Sequence, residues 1–120
     1  MAATAPLDVR SLTRLFKALG DETRMRIIAL LSHGELCVCH VEEALGLSQP
    51  NASRALGILF AAGIVERRRD GSWVYFKLAK QPDDLCEKQL RDLVRGFAKR
   101  DVLRRDVERL LQVRGPGACS

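Results

Sequence analysis

The apolar residues between positions 8 and 63 recur at intervals of three and four, a period that predicts four successive short helices. Glycines follow the first three of these segments, as they commonly do where a helix stops. The first half of the chain is therefore expected to be helical. The predicted apolar faces are Leu12, Leu15, Phe16 and Leu19; Ile27, Ile28 and Leu31; Val38, Val41 and Leu45; and Ala52, Leu56, Leu59 and Gly63.

After residue 63 the period changes to two, and a strand pattern replaces the helical one. Residues 64–69 and 72–78 alternate as strands do, and Asp70-Gly71 between them is a strong signal for a tight hairpin turn. Ser48, before the fourth helix, is a favourable N-cap residue. Short helices followed by a two-stranded hairpin predict a winged helix-turn-helix.

A long helix is predicted for the end of the chain, from Asp83 to about Val113. Its apolar residues form two stripes, which a three-helix core with a small wing cannot both cover. We therefore expect the first and last helices to form a homodimer interface. The expected fold is a mostly helical α+β winged helix-turn-helix domain over residues 1–120, with flexible ends at 1–7 and 114–120. The stripes are Leu90, Leu93, Val94 and Phe97, and Leu103, Val107, Leu110 and Leu111.

Length and composition fit one soluble domain. A chain of 120 residues can enclose one core but not two, and 47% hydrophobic with 29% charged residues is ordinary for a globular protein. The apolar runs are shorter than the roughly 18 residues that a membrane helix needs, and no signal-peptide pattern opens the chain. We therefore expect a cytoplasmic protein with no membrane partner. Its four cysteines then serve as ligands, reactive thiols or packing rather than as a disulfide framework.

Positive charge is concentrated where the helix-turn-helix and the hairpin are predicted. Residues 47–80 carry six Arg or Lys against two acidic residues, whereas residues 21–46 carry two against five. A basic segment of this kind fits a surface that binds a polyanion. A solvated surface without a partner would have the same composition.

The outer face of the fourth helix has the profile of a DNA recognition helix. Its first turns carry polar side chains and small ones follow, so that the helix can enter a major groove with its start near base edges. The arginines before the hairpin turn would contact phosphate or the minor groove. The alternative is an ordinary amphipathic surface helix. The candidate DNA contacts are Ser48, Gln49, Asn51, Ser53 and Arg54 on the helix and Arg67, Arg68 and Arg69 on the hairpin.

Four short motifs, taken in order, resemble those of the ArsR/SmtB family of bacterial metal-responsive repressors. They are residues 19–24 (LGDETR), 35–39 (ELCVC), 48–54 (SQPNASR) and 71–75 (GSWVY). The resemblance implies a dimeric winged-helix repressor that binds double-stranded operator DNA in the absence of inducer. It also implies that the DNA is released when arsenite or antimonite binds the cysteine pair of the second motif.

Two departures from the family's pattern concern the ligands. Arsenite sensors of the family often carry a third cysteine three residues after the second, and Glu42 stands at that position. A third thiolate would then come from Cys86 or Cys119, of the same or the partner subunit, unless Cys86 is a packing residue and Cys119 an incidental tail thiol. The last predicted helix contains no histidine, which argues against the family's zinc-type site there. His40 could assist a metal or lie on the surface.

Cys37 and Cys39 are expected in the third helix, where residues two apart point about 200° away from each other. One ion could then bind both sulfurs only if the first turn unwound, which would shift Ser53 and Arg54 on the next helix. The alternatives are that the cysteines only pack, that they sense cadmium, lead or redox state, or that the protein binds DNA without a ligand. A small thiol enzyme is disfavoured because the chain lacks a Cys-x-x-Cys motif, a paired general base and an α/β pattern.

Overall fold

In the part of the chain that the structure describes, two helices lead to a short strand, two further helices form the helix-turn-helix, and a hairpin and two helical segments follow. The computed structural model describes residues 9–97 and 101–113, without the side chains of 101–103 and 113. The predicted flexible ends, 1–7 and 114–120, lie outside these residues, and so does Cys119. The elements are α1 (Val9–Leu19), α2 (Glu22–Leu31), β1 (Leu36–Cys37), α3 (Val38–Leu45), α4 (Gln49–Ala61), β2 (Val65–Asp70), β3 (Trp73–Leu78), α5 (Asp84–Phe97) and α6 (Asp101–Val113).

Local caps define the helix ends on which the helix-turn-helix depends. The Asp21 carboxylate accepts a hydrogen bond from Arg24 N–H at 3.0 Å at the start of α2, and Ser48 Oγ accepts one from Asn51 N–H at 3.3 Å at the start of α4. Gly46 ends α3 with a left-handed backbone, φ 67°, which residues with a Cβ adopt only with strain. The predicted turn between the third and fourth helices is thus confirmed.

The wing is a three-stranded antiparallel sheet in the order β1-β3-β2, so the prediction of two strands is wrong. The predicted hairpin is confirmed, with Gly71 at φ 62° in its turn. The additional strand is β1, in which Leu36 lies opposite Phe76 and Cys37 lies opposite Tyr75. Two residues are too few to show a strand period, and the pattern therefore assigned this segment to the start of a helix.

The hydrophobic core lies between the first four helices and the sheet, and Leu90 of α5 and Leu110 of α6 also belong to it. It contains most of the predicted apolar faces, although Phe16 is 48% exposed. Burial of a leucine or isoleucine side chain contributes about 1.5–3 kcal/mol, so this cluster fixes α4 from its inner side. The largest buried side chains are Leu15, Leu19, Ile27, Ile28, Leu30, Leu36, Leu56, Leu59, Ile64 and Leu110.

In the C-terminal region the structure describes two helical segments, α5 and α6, and residues 98–100 between them lie outside the described part, so the continuity of the helix predicted over residues 83–113 stays a prediction. α5 packs against α1 and α2, whereas α6 packs against α2 and α3. Part of the second apolar stripe is therefore buried within the same protomer. Leu103 was also predicted for that stripe, and its side chain lies outside the described part. None of the described helices is long and apolar enough to cross a membrane.

α6 is held by an apolar contact and an ionic one. Leu110 is fully buried and Val107 is half-buried, whereas Leu111 is 62% exposed. The buried Asp106 carboxylate accepts two hydrogen bonds from the Arg26 guanidinium, at 2.7 and 2.8 Å. Such a two-point pair fixes orientation as well as distance. α6 is thereby anchored to α2, next to the helix that begins at the cysteine pair.

Candidate thiol site and DNA-facing surface

Cys37 and Cys39 lie at the junction between β1 and α3. Cys37 is the N-cap of α3, with an extended backbone (φ −84°, ψ 164°) and 1% exposure, and the half-buried Cys39 follows in the first turn. Their Cα atoms are 5.4 Å apart and their sulfurs are paired as a disulfide. The prediction that the side chains point away from each other is wrong, because only Cys39 has helical backbone. Once reduced, both sulfurs can meet one ion without unwinding of the first turn.

His40 forms a small cluster with the two cysteines. Its Nδ1 accepts a hydrogen bond from the Cys37 backbone N–H at 3.3 Å and lies 3.5 Å from Cys37 Sγ. Because Nδ1 is the acceptor, the proton of the neutral ring is on Nε2. The ligand atoms of the three residues lie within 4.8 Å of one another. His40 is half-buried, so the predicted surface position applies to only part of its ring.

Among the side chains that the structure describes, this is the one cluster of three or more metal-binding residue types with such spacing. Cys86, one candidate for a third thiolate, is 2% exposed in the core on α5 and does not belong to the cluster. Cys119, the other candidate, lies outside the described residues. Glu42, at the position of the missing third cysteine, is half-buried on α3. Within the described part of one protomer, the soft donor atoms that lie close together are two sulfurs and one ring nitrogen.

α4 exposes the face that was predicted to read DNA. Asn51 and Arg54 are exposed, and the four buried residues of the helix lie on its inner side. Gln49 Nε2 donates to Ser53 Oγ at 2.8 Å, which aligns two polar side chains along the outer face. Ser48 is engaged in capping the helix. The polar groups at the start of α4 are thus held at defined positions before any partner binds.

The three arginines of the wing have different surroundings. The Arg67 guanidinium lies 4.1 Å from the centre of the Phe60 ring, near the end of α4. The Arg68 guanidinium lies 4.5 Å from the centre of the Tyr75 ring, on the opposite face of the strand. Arg69 is exposed and shares the face of Arg67. The three arginines of β2 therefore lie on two different faces of the strand.

Glu35 joins Arg68 to the segment that carries the cysteines. Arg68 Nε donates to the Glu35 carboxylate at 2.9 and 3.0 Å, and Arg68 Nη2 donates at 2.7 Å. The hydrogen bonds from Arg68 hold the pKa of Glu35 below its ordinary value, so the carboxylate is charged at neutral pH. The hydrophobic pattern does not predict the pairing of Glu35 with Arg68, because this contact depends on the third strand, which the pattern does not reveal.

Two connections run from the cysteines to the DNA-facing surface. Through the sheet, Cys37 lies opposite Tyr75 on β3, and Tyr75 lies opposite Arg68 on β2. Through the helices, α3 starts directly after Cys37 and packs against α4. A change at the sulfurs can therefore reach both the wing and α4 through elements in direct contact.

Comparison with known proteins identifies the family. The family described as "Bacterial regulatory protein, arsR family" matches residues 21–67. The arsenic resistance transcriptional regulator ArsR1 of Pseudomonas putida is 40% identical over 111 residues, which cover 88% of this chain and 85% of that protein. The arsenical resistance operon repressor of Escherichia coli is 41% identical over 100 residues, 73% of this chain and 86% of the repressor. The cadmium resistance regulatory protein CadC homolog of Staphylococcus aureus is 42% identical over 91 residues, 75% and 69% of the two chains.

A solved structure has the same architecture. The homodimeric winged helix-turn-helix DNA-binding domain of Mb0332 from Mycobacterium bovis, described as a possible ArsR-family transcriptional regulator, matches with a TM-score of 0.62 and 28% identity. The match covers 85% of this chain and 94% of that domain. The relatives are DNA-binding transcriptional regulators and not enzymes. This chain belongs to the ArsR family of winged helix-turn-helix transcriptional regulators.

Proposed function

We propose that this protein is a repressor that binds double-stranded operator DNA as a homodimer and releases it when arsenite or antimonite binds Cys37 and Cys39. The observation that carries the proposal is the position of the two sulfurs, which lie within bonding reach of each other on the segment that joins the wing to the helix-turn-helix. The names of the relatives from P. putida and E. coli, which concern arsenic resistance, support this choice of inducer.

The chemistry at the two sulfurs is a ligand exchange. As(OH)3 and two thiols give a bis-thiolate that keeps one As–OH group, and two water molecules leave with the two thiol protons. No electrons are transferred, so both sulfurs must be in the reduced form. The N-terminus of α3 carries partial positive charge and favours the thiolate that attacks arsenic. The second As–S bond is intramolecular, which strengthens binding beyond that of a single thiol.

The proposed DNA-binding surface combines the start of α4 with the wing. Side chains of the first two turns of α4 would meet base edges in a major groove, where arginine pairs with guanine and asparagine or glutamine with adenine. The wing arginines would meet phosphate or the minor groove and position the protein on the duplex. The proposed contacts are Ser48, Gln49, Asn51, Ser53, Arg54, Arg67, Arg68 and Arg69.

The proposed homodimer would involve α1 and the C-terminal helices. Val9 and Phe16 are 68% and 48% exposed and lie seven residues apart, on one face of α1, and Leu85 on α5 is 39% exposed. The homodimeric state of the M. bovis domain supports a homodimer here. A two-fold dimer would present two α4 helices to half-sites about 34–36 Å apart, and the operator would then be a palindrome.

The inducer can release DNA only if it binds the DNA-free conformation more tightly than the DNA-bound one. A shared arsenic centre would constrain Cys37 and Cys39 at the start of α3. Cys37 is in register with Tyr75, so this constraint would act on the wing as well as on α4 through α3. A coupling of about 1–3 kcal/mol would weaken operator binding by about 5–150-fold.

The Cys37→Ser variant tests the proposed inducer site. An operator can be selected from random duplex DNA with the reduced, inducer-free protein, and binding can be followed by fluorescence anisotropy with and without arsenite. Cys37→Ser should bind the operator as the wild type does and should no longer release it, because one of the two As–S bonds cannot form. Cys86→Ser, altered in the core and outside the cluster, should still release the operator. Arsenite-dependent release by Cys37→Ser would show that the inducer binds elsewhere.

Redox sensing is a second candidate function, favoured by the pairing of Cys37 and Cys39 as a disulfide. Hydrogen peroxide would take two electrons and two protons from the dithiol, which leaves a disulfide and two water molecules. This reaction would constrain the same segment as arsenite does. Separate titrations of the reduced, operator-bound protein with peroxide, arsenite and cadmium distinguish the candidates by which of them releases DNA. Cadmium is included because the S. aureus relative is named for cadmium resistance.

A further inference from the structure

One face of the wing brings Arg68 close to the residues that precede α3. Cys37 is in register with Tyr75, and Tyr75 is in register with Arg68, so these three residues form one row across the sheet on the same face. Glu35 precedes Cys37 by two residues, and alternate residues of an extended segment point to the same side. The fold therefore brings the Glu35 carboxylate to Arg68, although 33 positions along the chain separate the two residues.

The contact between Glu35 and Arg68 has the two-nitrogen geometry that makes an exposed ion pair effective. Nε of Arg68 donates to both carboxylate oxygens of Glu35, at 2.9 and 3.0 Å, and Nη2 donates to one of them at 2.7 Å. The central carbon of the guanidinium lies 4.5 Å from the centre of the Tyr75 ring. Glu66 and Lys77, the other ion pair between described residues of the wing, have an N–O distance of 3.7 Å. Glu35 and Tyr75 thus hold the Arg68 guanidinium at a defined position.

A carboxylate and a DNA phosphate bind an arginine in the same way. The N–H groups of a guanidinium match two oxygen atoms of either anion, so Glu35 already occupies one edge of Arg68 that a phosphate could bind. Binding to DNA also depends on positive charge that replaces counterions at the phosphates. An arginine paired with a carboxylate brings no net charge. We therefore expect Arg68 to contribute fully to DNA binding only after it exchanges Glu35 for a phosphate.

We propose that Glu35 competes with DNA phosphate for Arg68, so that this internal ion pair lowers the affinity of the free protein for DNA. The inference rests on the proposed function in that it takes Arg68 as a DNA contact. The side chains of Arg68 and Glu35 are 54% and 28% exposed, so the exchange requires no opening of the core. Arg67 and Arg69 lie on the other face of β2 and form no ion pair with another described residue.

Glu35→Gln tests the competition, because it keeps the shape of the side chain and removes its charge. Binding of reduced, inducer-free protein to the selected operator and to an unrelated duplex is followed by fluorescence anisotropy at several salt concentrations. Glu35→Gln should bind both duplexes more tightly than the wild type does. The gain should grow by about 3.5-fold when salt is lowered from about 200 to about 50 mM, because one added phosphate contact steepens the dependence of log K on log salt by about 0.9.

Two controls show whether the gain depends on Arg68. In the Arg68→Ala background, Glu35→Gln should give a clearly smaller gain and no steeper salt dependence. Glu66→Gln removes the same charge from the same face of β2 and should also give a smaller gain. An equal gain in either control would show that the carboxylates only repel phosphate, and would overturn the inference. Weaker DNA binding by Glu35→Gln would show that Glu35 positions Arg68 for phosphate, and would overturn it too.

The ion pair can also be observed in the wild-type protein by nuclear magnetic resonance. The Nε–H signal of Arg68, identified by its loss in Arg68→Lys, should exchange with water more slowly than that of Arg69, which is exposed on the same strand. Equal exchange rates for the two arginines would show that the pair with Glu35 does not form in solution. That result would overturn the inference even if Glu35→Gln failed to fold.

Arsenite added to the same samples separates this inference from the proposed function. A wild type that keeps its operator in arsenite, while Glu35→Gln shows the expected gain, would contradict the proposed inducer and leave the role of Glu35 intact. A wild type that releases its operator in arsenite, while Glu35→Gln binds DNA as the wild type does, would contradict the Glu35 inference alone.

Discussion

At the scale of single residues, the backbone of Cys37 determines what the cysteine pair can do. The types and spacing of Cys37, Cys39 and His40 are visible in the sequence, and they predict soft-ligand chemistry. The extended backbone of Cys37 is not visible there, because it follows from pairing with Tyr75, which lies far along the chain. That conformation brings the sulfurs together, whereas two helical residues at this spacing would point apart. The ligand-binding potential of the site therefore depends on a long-range strand contact.

Arg54 is the residue on which the proposed sequence readout depends most. If its guanidinium meets a base edge, Arg54→Ala should weaken binding to the selected operator by about 1–3 kcal/mol and relax the preference at one base position. Binding to unrelated DNA should change little. Fluorescence anisotropy with both duplexes at several salt concentrations measures the two effects. Arg95→Ala, an exposed arginine in the last turn of α5, is the control for loss of one positive charge. An equal loss on both duplexes would show that Arg54 contacts phosphate.

At the scale of secondary-structure elements, the sequence predicts those whose signals are local. Helical periods, the Ser48 cap, the Gly46 stop and the turn at Gly71 suffice to place α1 to α4 and the hairpin. β1 and the packing of α6 escape prediction because both depend on distant partners. β1 is a strand only because β3 lies beside it, and α6 packs on α2 and α3. β1 contains Cys37, and α6 packs on the helix that begins after it. The sequence therefore predicts the candidate ligand residues better than it predicts their surroundings.

The contribution of the Arg26–Asp106 ion pair to the packing of α6 can be measured as a change in the free energy of unfolding. Arg26→Leu would leave the buried Asp106 carboxylate without its ion pair, and the free energy of unfolding should fall by about 3 kcal/mol. Urea denaturation at fixed protein concentration measures this change. The double variant Arg26→Leu/Asp106→Leu should recover part of the loss, because no uncompensated charge then stays buried.

A surface ion pair provides the matched control for this measurement. Arg91→Leu removes an arginine whose bond to Glu87 lies on the outer side of α5, and it should cost less than about 1 kcal/mol. Similar losses for Arg26→Leu and Arg91→Leu would mean that the pair with Asp106 does not hold α6 in place.

At the scale of the whole molecule, the cysteine pair belongs to the scaffold of the DNA-facing surface. Cys37 is part of the sheet that forms the wing, and α3 supports α4. Glu35 and Arg68 connect the start of this segment to the middle of β2. We therefore expect a ligand at the cysteines to act on both parts of the proposed DNA interface. In the proposed dimer the effect would occur twice, once at each half-site.

We expect bound arsenite to weaken the binding of operator DNA, and bound operator DNA to weaken the binding of arsenite. The most direct measurement is the arsenite affinity of the reduced protein, free and saturated with its selected operator, by isothermal titration calorimetry. The free protein should bind arsenite about 5–150-fold more tightly, and arsenite should weaken operator binding by the same factor, because coupling between two binding sites is reciprocal. Equal arsenite affinities in the presence and absence of the operator would contradict the proposed role of the cysteine pair in releasing DNA.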